Sequence, residues 1–265
     1  MGWDFVTVEK DGPVAVVRID RGDGLNAMSA KLLRELTEVA KSFEDDLETT
    51  AIVLTGTDRA FCAGRDLRDP EIESNNAKPM LVRRRLAGGG ARLCQVWEDL
   101  EALTICAVEG FAIGAGLALS LALDVRVMGE NAHFRAPEVA LGLSMSWGSI
   151  PRLINLVGPA RAKQILILSD QRVGSADAAA WGLVQDVTPD GHAVVRALEI
   201  ARAAAEMPPL TVRMTKQAVN AVANATARAS IYMDTEQVIL SSMTGDHKEA
   251  VAAFKEKRKP RFTGK

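Results

Sequence analysis

Short segments rich in valine and isoleucine, each bounded by Gly, Asp or Pro, recur along the first 190 residues and restrict what the chain can fold into. The clearest are Val14–Ile19, Ala51–Thr55, Ile105–Val108, Val125–Met128 and Leu183–Val187. Helical patterns lie between them. Ser29, for example, can cap a helix whose apolar side chains, from Leu32 to Phe43, fall on one face. Strands that alternate with helices predict an α/β fold with mostly parallel strands.

The pattern changes towards the C-terminus. After Val187 only helical periodicity remains, and one helix is expected over Val194–Glu206, just before two consecutive prolines. We therefore predict a core over residues 1–190 and an α-helical region over residues 191–265. The basic run from Phe254 to Phe262 has two interpretations: a solvated terminus, or a patch for an anionic group such as a nucleotide phosphate.

Composition argues against several classes of protein. The chain has 32 Lys and Arg against 34 Asp and Glu, a net charge of −2, so no nucleic-acid partner is expected. Its longest apolar stretch, Phe111–Leu123, is interrupted by Gly and Ser and is too short to span a bilayer. The N-terminus lacks the apolar segment of a signal peptide, and three cysteines without close spacing indicate a reducing compartment. We expect a cytoplasmic protein without a membrane partner.

Two loops of small residues are the most informative segments for chemistry. Ala60–Leu67 and Gly110–Leu117 each follow a predicted strand, and the second opens an apolar helix. Small residues let backbone approach a ligand, and the start of a helix offers unpaired N–H groups suited to a developing oxyanion. Gly114-Ala-Gly116 also resembles the start of a dinucleotide-binding fingerprint, but Leu119 occupies its third position and would crowd the helix against the strand.

Other catalytic patterns are missing from the sequence. No glycine loop is followed by G-K-[ST], and no G-x-S-x-G occurs. His133, His192 and His247 are isolated, so no metal site is predicted. Cys62 has no nearby histidine and is expected to be a small buried residue rather than a nucleophile.

Several segments, in consistent order, resemble the signature of the crotonase (enoyl-CoA hydratase/isomerase) superfamily. Phe61–Leu67 is similar to F-x-A-G-x-D-[LI], and Gly110–Leu119 is similar to G-x-[AC]-x-G-G-G-x-[ED]-[LI]. Leu25–Met28 resembles the family's N-A-[LM] segment, and Phe134–Leu143 resembles F-x-x-P-E-x-x-x-G-[LI]. With further matches at Asp124, Trp181–Val184 and the basic tail, the resemblance covers essentially the whole chain.

The resemblance implies a crotonase-type ββα spiral core followed by a C-terminal α-helical trimerisation region, assembled as a homotrimer or homohexamer. It also implies an acyl-CoA substrate and no cofactor beyond its coenzyme A moiety. Carried over by position, the backbone N–H groups of Arg65 and Ala115 would bind the thioester oxygen. The positions implied to lie along coenzyme A are Asn26, Ala27, Ala63, Gly64, Arg65, Asp66, Leu67, Gly114 and Lys257.

The chain departs from the family pattern at the acidic groups. Hydratases of the family use two carboxylates; the second corresponds to Glu138, but the first position is Ala118. Ser146 occupies the position eight residues after Glu138, where two other family chemistries need a carboxylate. Trp147 replaces a small residue, so the acyl pocket is expected to be lined by Ala118 and an indole.

The sequence therefore favours Δ3,Δ2-enoyl-CoA isomerisation, in which one glutamate moves a proton between two carbons. Enoyl-CoA hydration remains an alternative, as does a catalytically degraded relative that binds coenzyme A or RNA.

Overall fold

The computed structural model describes residues 2–75, 77–168 and 171–265 and contains two β-sheets flanked by helices. Within these residues the strands are Val6–Asp11 (β1), Val14–Ile19 (β2), Ala51–Thr55 (β3), Leu103–Val108 (β4), Phe111–Ile113 (β5), Val125–Gly129 (β6), His133–Arg135 (β7), Val173–Gly174 (β8) and Asp186–Thr188 (β9). The larger sheet has the order β1-β2-β3-β4-β6-β9, and the smaller has the order β5-β7-β8. In the larger sheet β1 and β2 form an antiparallel hairpin, and every later pair is parallel.

The helices of the described chain are Ala30–Ser42 (α1), Pro70–Asn75 (α2), Met80–Ala87 (α3), Gly89–Asp99 (α4), Ala115–Leu121 (α5), Ser149–Ile167 (α6), Ser175–Ala180 (α7), Ala193–Ala205 (α8), Pro209–Ala223 (α9), Arg228–Ile231 (α10), Asp234–Ser242 (α11) and Gly245–Glu256 (α12). Helix α6 is interrupted at Gly158, whose φ of 73° lies outside the helical range and which precedes Pro159. Across these described ranges, no helix is both long and apolar enough to cross a membrane.

The predicted elements are found with small shifts. Helix α1 begins after Ser29 as expected, and the Leu32 N–H donates to Ser29 Oγ at 3.1 Å. The strand predicted at Leu183–Val187 is displaced to β9, because Leu183 and Val184 are buried in the core without pairing to a strand. The two short strands β5 and β7 were not predicted.

The two faces of the larger sheet are covered by different helices. On one face α1 packs against α4, and the fully buried indole of Trp97 donates to Leu36 O at 3.2 Å. On the other face α8 presents a row of small buried residues to β2, β3, β4 and β6, namely Ala193, Ala197 and Ala201. The segment after β9 is helical as predicted, and its first helix, α8, packs on the larger sheet.

Candidate active site

Three segments that are distant in sequence end at the same edge of the small sheet. Cys62 forms a parallel bridge to Ala112 in β5, and β5 pairs in parallel with β7. The Ile113 N–H donates to Cys62 O at 2.9 Å, and the Gly114 N–H donates to Arg135 O at 2.9 Å. Because the carboxyl ends of neighbouring parallel strands lie together, the residues that follow these three segments meet in one place. The predicted oxyanion loops and the loop of Glu138 are therefore neighbours.

The Arg65 amide points away from the segment of Met28, which lies beside the first loop. The Met28 N–H donates to Gly64 O at 2.7 Å, and the Asp66 N–H donates to Met28 O at 3.0 Å. In a parallel bridge of this kind, the N–H and C=O groups of the central residue, here Arg65, point away from Met28. Within residues 2–75, 77–168 and 171–265, the Arg65 N–H makes no hydrogen bond. It is available to a ligand.

The Ala115 amide lies close to Gly64, the residue that precedes Arg65. A Cβ built on Gly64 would lie 3.9 Å from Ala115 N, so the two loops are in close approach. Ala115 is the first residue of α5, and its N–H has no acceptor among the described residues. The N-terminus of a helix is the positive end of its dipole, which adds to the hydrogen bond that this amide can donate.

Glycines set the distance between these loops. Gly114, which precedes α5, has a φ of 52°, a conformation that favours glycine. A Cβ on Gly116 would lie 2.7 Å from Cys62 O, closer than ordinary van der Waals contact. The start of α5 is thus seated directly on the backbone of the first loop.

Glu138 lies beside Gly114, the residue that precedes Ala115. It follows β7 and precedes a single 3₁₀ turn, Val139–Leu141, and a Cβ on Gly114 would lie 2.7 Å from Glu138 Oε1. Its Oε2 atom is shielded from solvent and has no hydrogen-bond partner in the described chain. Burial raises the pKa of Glu138 from an ordinary value of 4.5 to about 7. A carboxyl group with this pKa can both accept and return a proton near neutrality.

The position of the family's first carboxylate is apolar. Ala118 is fully buried in a cluster with Cys94, Ala122 and Met145, against which Trp147 packs. Buried and half-buried carboxylates elsewhere in the described chain have other partners. Glu35 accepts from the Phe5 N–H, Glu98 binds Arg152, Glu109 accepts from the Ala193 N–H, Asp124 pairs with Lys216, and Asp234 accepts from the Gly148 N–H.

Asn26 organises the turn that the sequence placed near coenzyme A. It is fully buried with a φ of 50°. Its Oδ1 accepts from the Arg21 N–H at 3.0 Å, and its Nδ2 donates to Ile19 O and Ala60 O, both at 3.0 Å. The side-chain amide is therefore committed to holding the turn, and a contact between this turn and a ligand would involve the half-buried Ala27.

Arg21 is a residue that sequence reasoning missed. Its Nη1 lies 2.8 Å from Asp66 Oδ2 and also donates to Ala27 O, so it ties two of the predicted coenzyme A segments together. Of the remaining residues of the first loop, Ala63 is half-buried and Leu67 is exposed. Nothing in the sequence around Arg21 indicates a partner 45 residues away.

The basic tail folds back along α12 instead of extending into solvent. The Gly245 N–H donates to Lys265 O at 2.7 Å, and Arg258 Nη2 donates to Glu249 Oε2 at 2.9 Å. Lys257, which ends α12 with a φ of 55°, is exposed. In the described chain no hydrogen bond or ion pair joins Lys257 to the other candidate residues.

The remaining sequence candidates are structural. Burial raises the pKa of the Cys62 thiol to about 12, so it stays protonated, as expected for a small buried residue. His247 Nδ1 lies 2.7 Å from Leu141 O, in the turn after Glu138. No group of three His, Cys, Asp or Glu side chains that could hold a metal ion occurs among the residues described by the structure.

Comparisons with known proteins agree over almost the full length of the chain. The family model described as enoyl-CoA hydratase/isomerase matches residues 9–265. The short-chain-enoyl-CoA hydratase of Clostridium acetobutylicum is 35% identical over 260 residues, which cover 98% of this chain and 97% of the relative. The crotonyl-CoA hydratase of Syntrophomonas wolfei is 31% identical, with 100% of both chains covered. A solved enoyl-CoA hydratase/isomerase from Pseudoalteromonas atlantica superposes with a TM-score of 0.86 at 28% identity, covering 98% of this chain and 100% of the other.

Proposed function

The chain belongs to the enoyl-CoA hydratase/isomerase family, and from this premise we propose that it moves the double bond of a 3-enoyl-CoA to position 2 with Glu138 as the one acid–base group. The observation that carries the proposal is that, among the described residues, Glu138 is the carboxylate beside the oxyanion loops whose Oε2 has no partner, whereas Asp66 in the first loop is paired with Arg21. Glu138 lies beside Gly114, whereas the apolar Ala118 occupies the place of the family's first carboxylate. A proton shuttle needs one such group, because the proton taken from one carbon is returned to another.

The thioester oxygen is bound between the Arg65 and Ala115 amides. Both donors are fixed before the substrate arrives, and they stabilise the negative charge that develops on this oxygen when a proton leaves C2. Glu138 removes the C2 proton, and the electron pair of that C–H bond is delocalised over the thioester and the double bond. The same carboxyl then delivers the proton to C4, which leaves the double bond between C2 and C3. Neither water nor a cofactor beyond coenzyme A takes part in this reaction.

The coenzyme A moiety lies along the Ala63–Leu67 loop and the turn that carries Ala27. Arg21 holds both segments together, so their relative position is set before binding. Lys257 supplies a positive charge to a phosphate of coenzyme A, and an assembly into trimers would let it serve the site of a neighbouring copy.

Hydration is the second candidate, and the relatives favour it. The matched proteins of Clostridium acetobutylicum and Syntrophomonas wolfei are both named hydratases. Addition of water to a 2-enoyl-CoA by this chain would require a group other than residue 118 to orient the water, because Ala118 has no polar atom in its side chain.

The two reactions are distinguished by incubating the protein with a 3-hexenoyl-CoA and, separately, a 2-hexenoyl-CoA in water labelled with heavy oxygen. Mass spectrometry of the products then separates double-bond migration from water addition. We expect migration without incorporation of the label, and loss of migration in Glu138→Gln. Fast incorporation of the label that depends on Glu138 would replace the isomerase proposal by hydration.

A further inference from the structure

Trp147 is held in a backbone conformation that an aromatic residue rarely adopts. Its φ is 63°, and that of the next residue, Gly148, is 68°. For a bulky side chain this left-handed region is strained and persists only where the surroundings enforce it. The contacts of this pair therefore indicate why the indole is placed where it is.

Two buried charged residues fix the strained peptide. Arg152 Nη1 donates to Trp147 O at 2.8 Å, and Asp234 Oδ2 accepts from the Gly148 N–H at 2.7 Å. Arg152 is held in turn by two hydrogen bonds to Glu98, at 2.7 and 2.8 Å. The side chains come from α4, α6 and α11, so three helices converge on one loop peptide.

The indole ring of Trp147 packs directly against Gly90. A Cβ added to Gly90, at the start of α4, would overlap the ring of Trp147, so only glycine leaves room for it. On its other side the ring packs against the cluster that contains Ala118. Ala118 is three residues after Ala115 on α5, and residues with this spacing are neighbours on a helix surface. The indole of Trp147 therefore lies about one helical turn further along α5 than the Ala115 amide, which binds the thioester oxygen.

We propose that Trp147, positioned by Gly90, Arg152 and Asp234, closes the acyl end of the site and restricts the enzyme to short acyl chains. This inference rests on the proposed function, since it assumes that an acyl thioester is bound by the Ala115 amide. The wall is rigid because its backbone is fixed by two buried groups and its ring is seated on a glycine. A longer chain would have to displace the indole from this seat.

Binding of saturated acyl-CoAs tests the wall without depending on the reaction. Calorimetry gives the affinities of butyryl-CoA and octanoyl-CoA for the native protein, for Trp147→Ala and for Trp147→Leu, which keeps an apolar side chain if the alanine variant folds poorly. Trp181→Ala is the matched control, because that indole packs under Arg161 instead of on α4. We expect butyryl-CoA to bind the native protein at least as tightly as octanoyl-CoA.

In both Trp147 variants the affinity ratio of octanoyl-CoA to butyryl-CoA should rise about tenfold or more, because each newly buried methylene is worth roughly a fourfold change in affinity. Trp181→Ala should leave the ratio unchanged. An unchanged ratio in folded Trp147 variants, with both ligands still bound, would overturn this inference and leave the proposed function standing. If neither ligand bound the native protein, both this inference and the proposed function would be contradicted.

Discussion

At the scale of single residues, the protonation of Glu138 links activity to stability. The carboxylate form is the base, so the rate of proton abstraction should rise with pH through about 7, the pKa that burial gives this group. In the unfolded chain the pKa returns to about 4.5, so the folded state binds this proton more tightly. The resulting stabilisation is complete below pH 4.5 and is lost as the pH rises through 7.

Glu138→Gln isolates the effect of Glu138 ionisation on stability from its effect on activity. Glutamine has nearly the same shape and cannot ionise, so the variant should be more stable than the native protein at pH 8, by about 3 kcal/mol, with a much smaller difference at pH 4.5. Denaturant unfolding of both proteins at the two pH values measures this. Equal stability at pH 8 would mean that the carboxylate is solvated in the folded state.

The Ala115 amide can be tested by deleting its hydrogen. Ala115→Pro removes this N–H at the first position of a helix, where proline is tolerated. Loss of one oxyanion donor should lower kcat by roughly 10²–10³. Ala115→Gly retains the amide and is the control for removal of the side chain. Turnover of a folded proline variant close to that of the glycine variant would assign the donor to another residue.

Single residues also show where sequence reasoning stops. The positions of Glu138 and Ala115 were predicted because each lies in a recognisable segment, and the structure brings them together. A raised pKa is expected for one glutamate in an apolar pocket, and Glu138 has it. The role of Arg21 and the contact between Gly90 and Trp147 were not predicted. Each depends on partners from other elements; Arg152 and Glu98, for example, are 54 residues apart.

At the scale of elements, the site depends on how closely α5 approaches the first loop. Gly116→Ala would place a methyl group 2.7 Å from Cys62 O and push the start of α5 away from the Arg65 amide. We expect kcat to fall at least about tenfold, with a stability cost of about 1–3 kcal/mol for the overpacked contact. Gly174→Ala is the control, since nothing lies within 4 Å of the Cβ it would add. Full activity in Gly116→Ala would show that the spacing of the loops is not critical.

Two of the strands that the sequence did not predict, β5 and β7, assemble the site. The longer strands β2, β3, β4 and β6 could be predicted because each contains several apolar β-branched residues. Strands β5 and β7 have three residues each, which is too short to show a period of two. Their pairing nevertheless aligns Cys62, Gly114 and Glu138, so the geometry of the site follows from tertiary contacts that no local pattern encodes.

At the scale of the whole molecule, helix α9 carries exposed apolar side chains. Leu210 and Met214, one turn apart on this helix, are 69% and 60% exposed. Adjacent large apolar side chains at this exposure are typical of a surface that another molecule covers. We expect a homotrimer or homohexamer, measured as mass by light scattering at micromolar concentration, and a lower mass for Met214→Glu. A monomeric native protein would contradict this expectation.

Assembly bears on Lys257, the tail residue that the family resemblance assigned to coenzyme A. Removing the whole tail is a poor test, because the tail is bound to α12 through Glu249 and Asp246. Lys257→Asn is sharper, since asparagine tolerates the left-handed conformation at this position and lacks the charge. If Lys257 binds a phosphate, KM should rise several-fold at low salt with kcat unchanged, and the difference from the native protein should shrink as salt screens the charge. Lys41→Asn, at an exposed lysine near the end of α1, is the control for loss of one positive charge. Equal KM values for the two variants at low salt would mean that the tail is a solvated terminus.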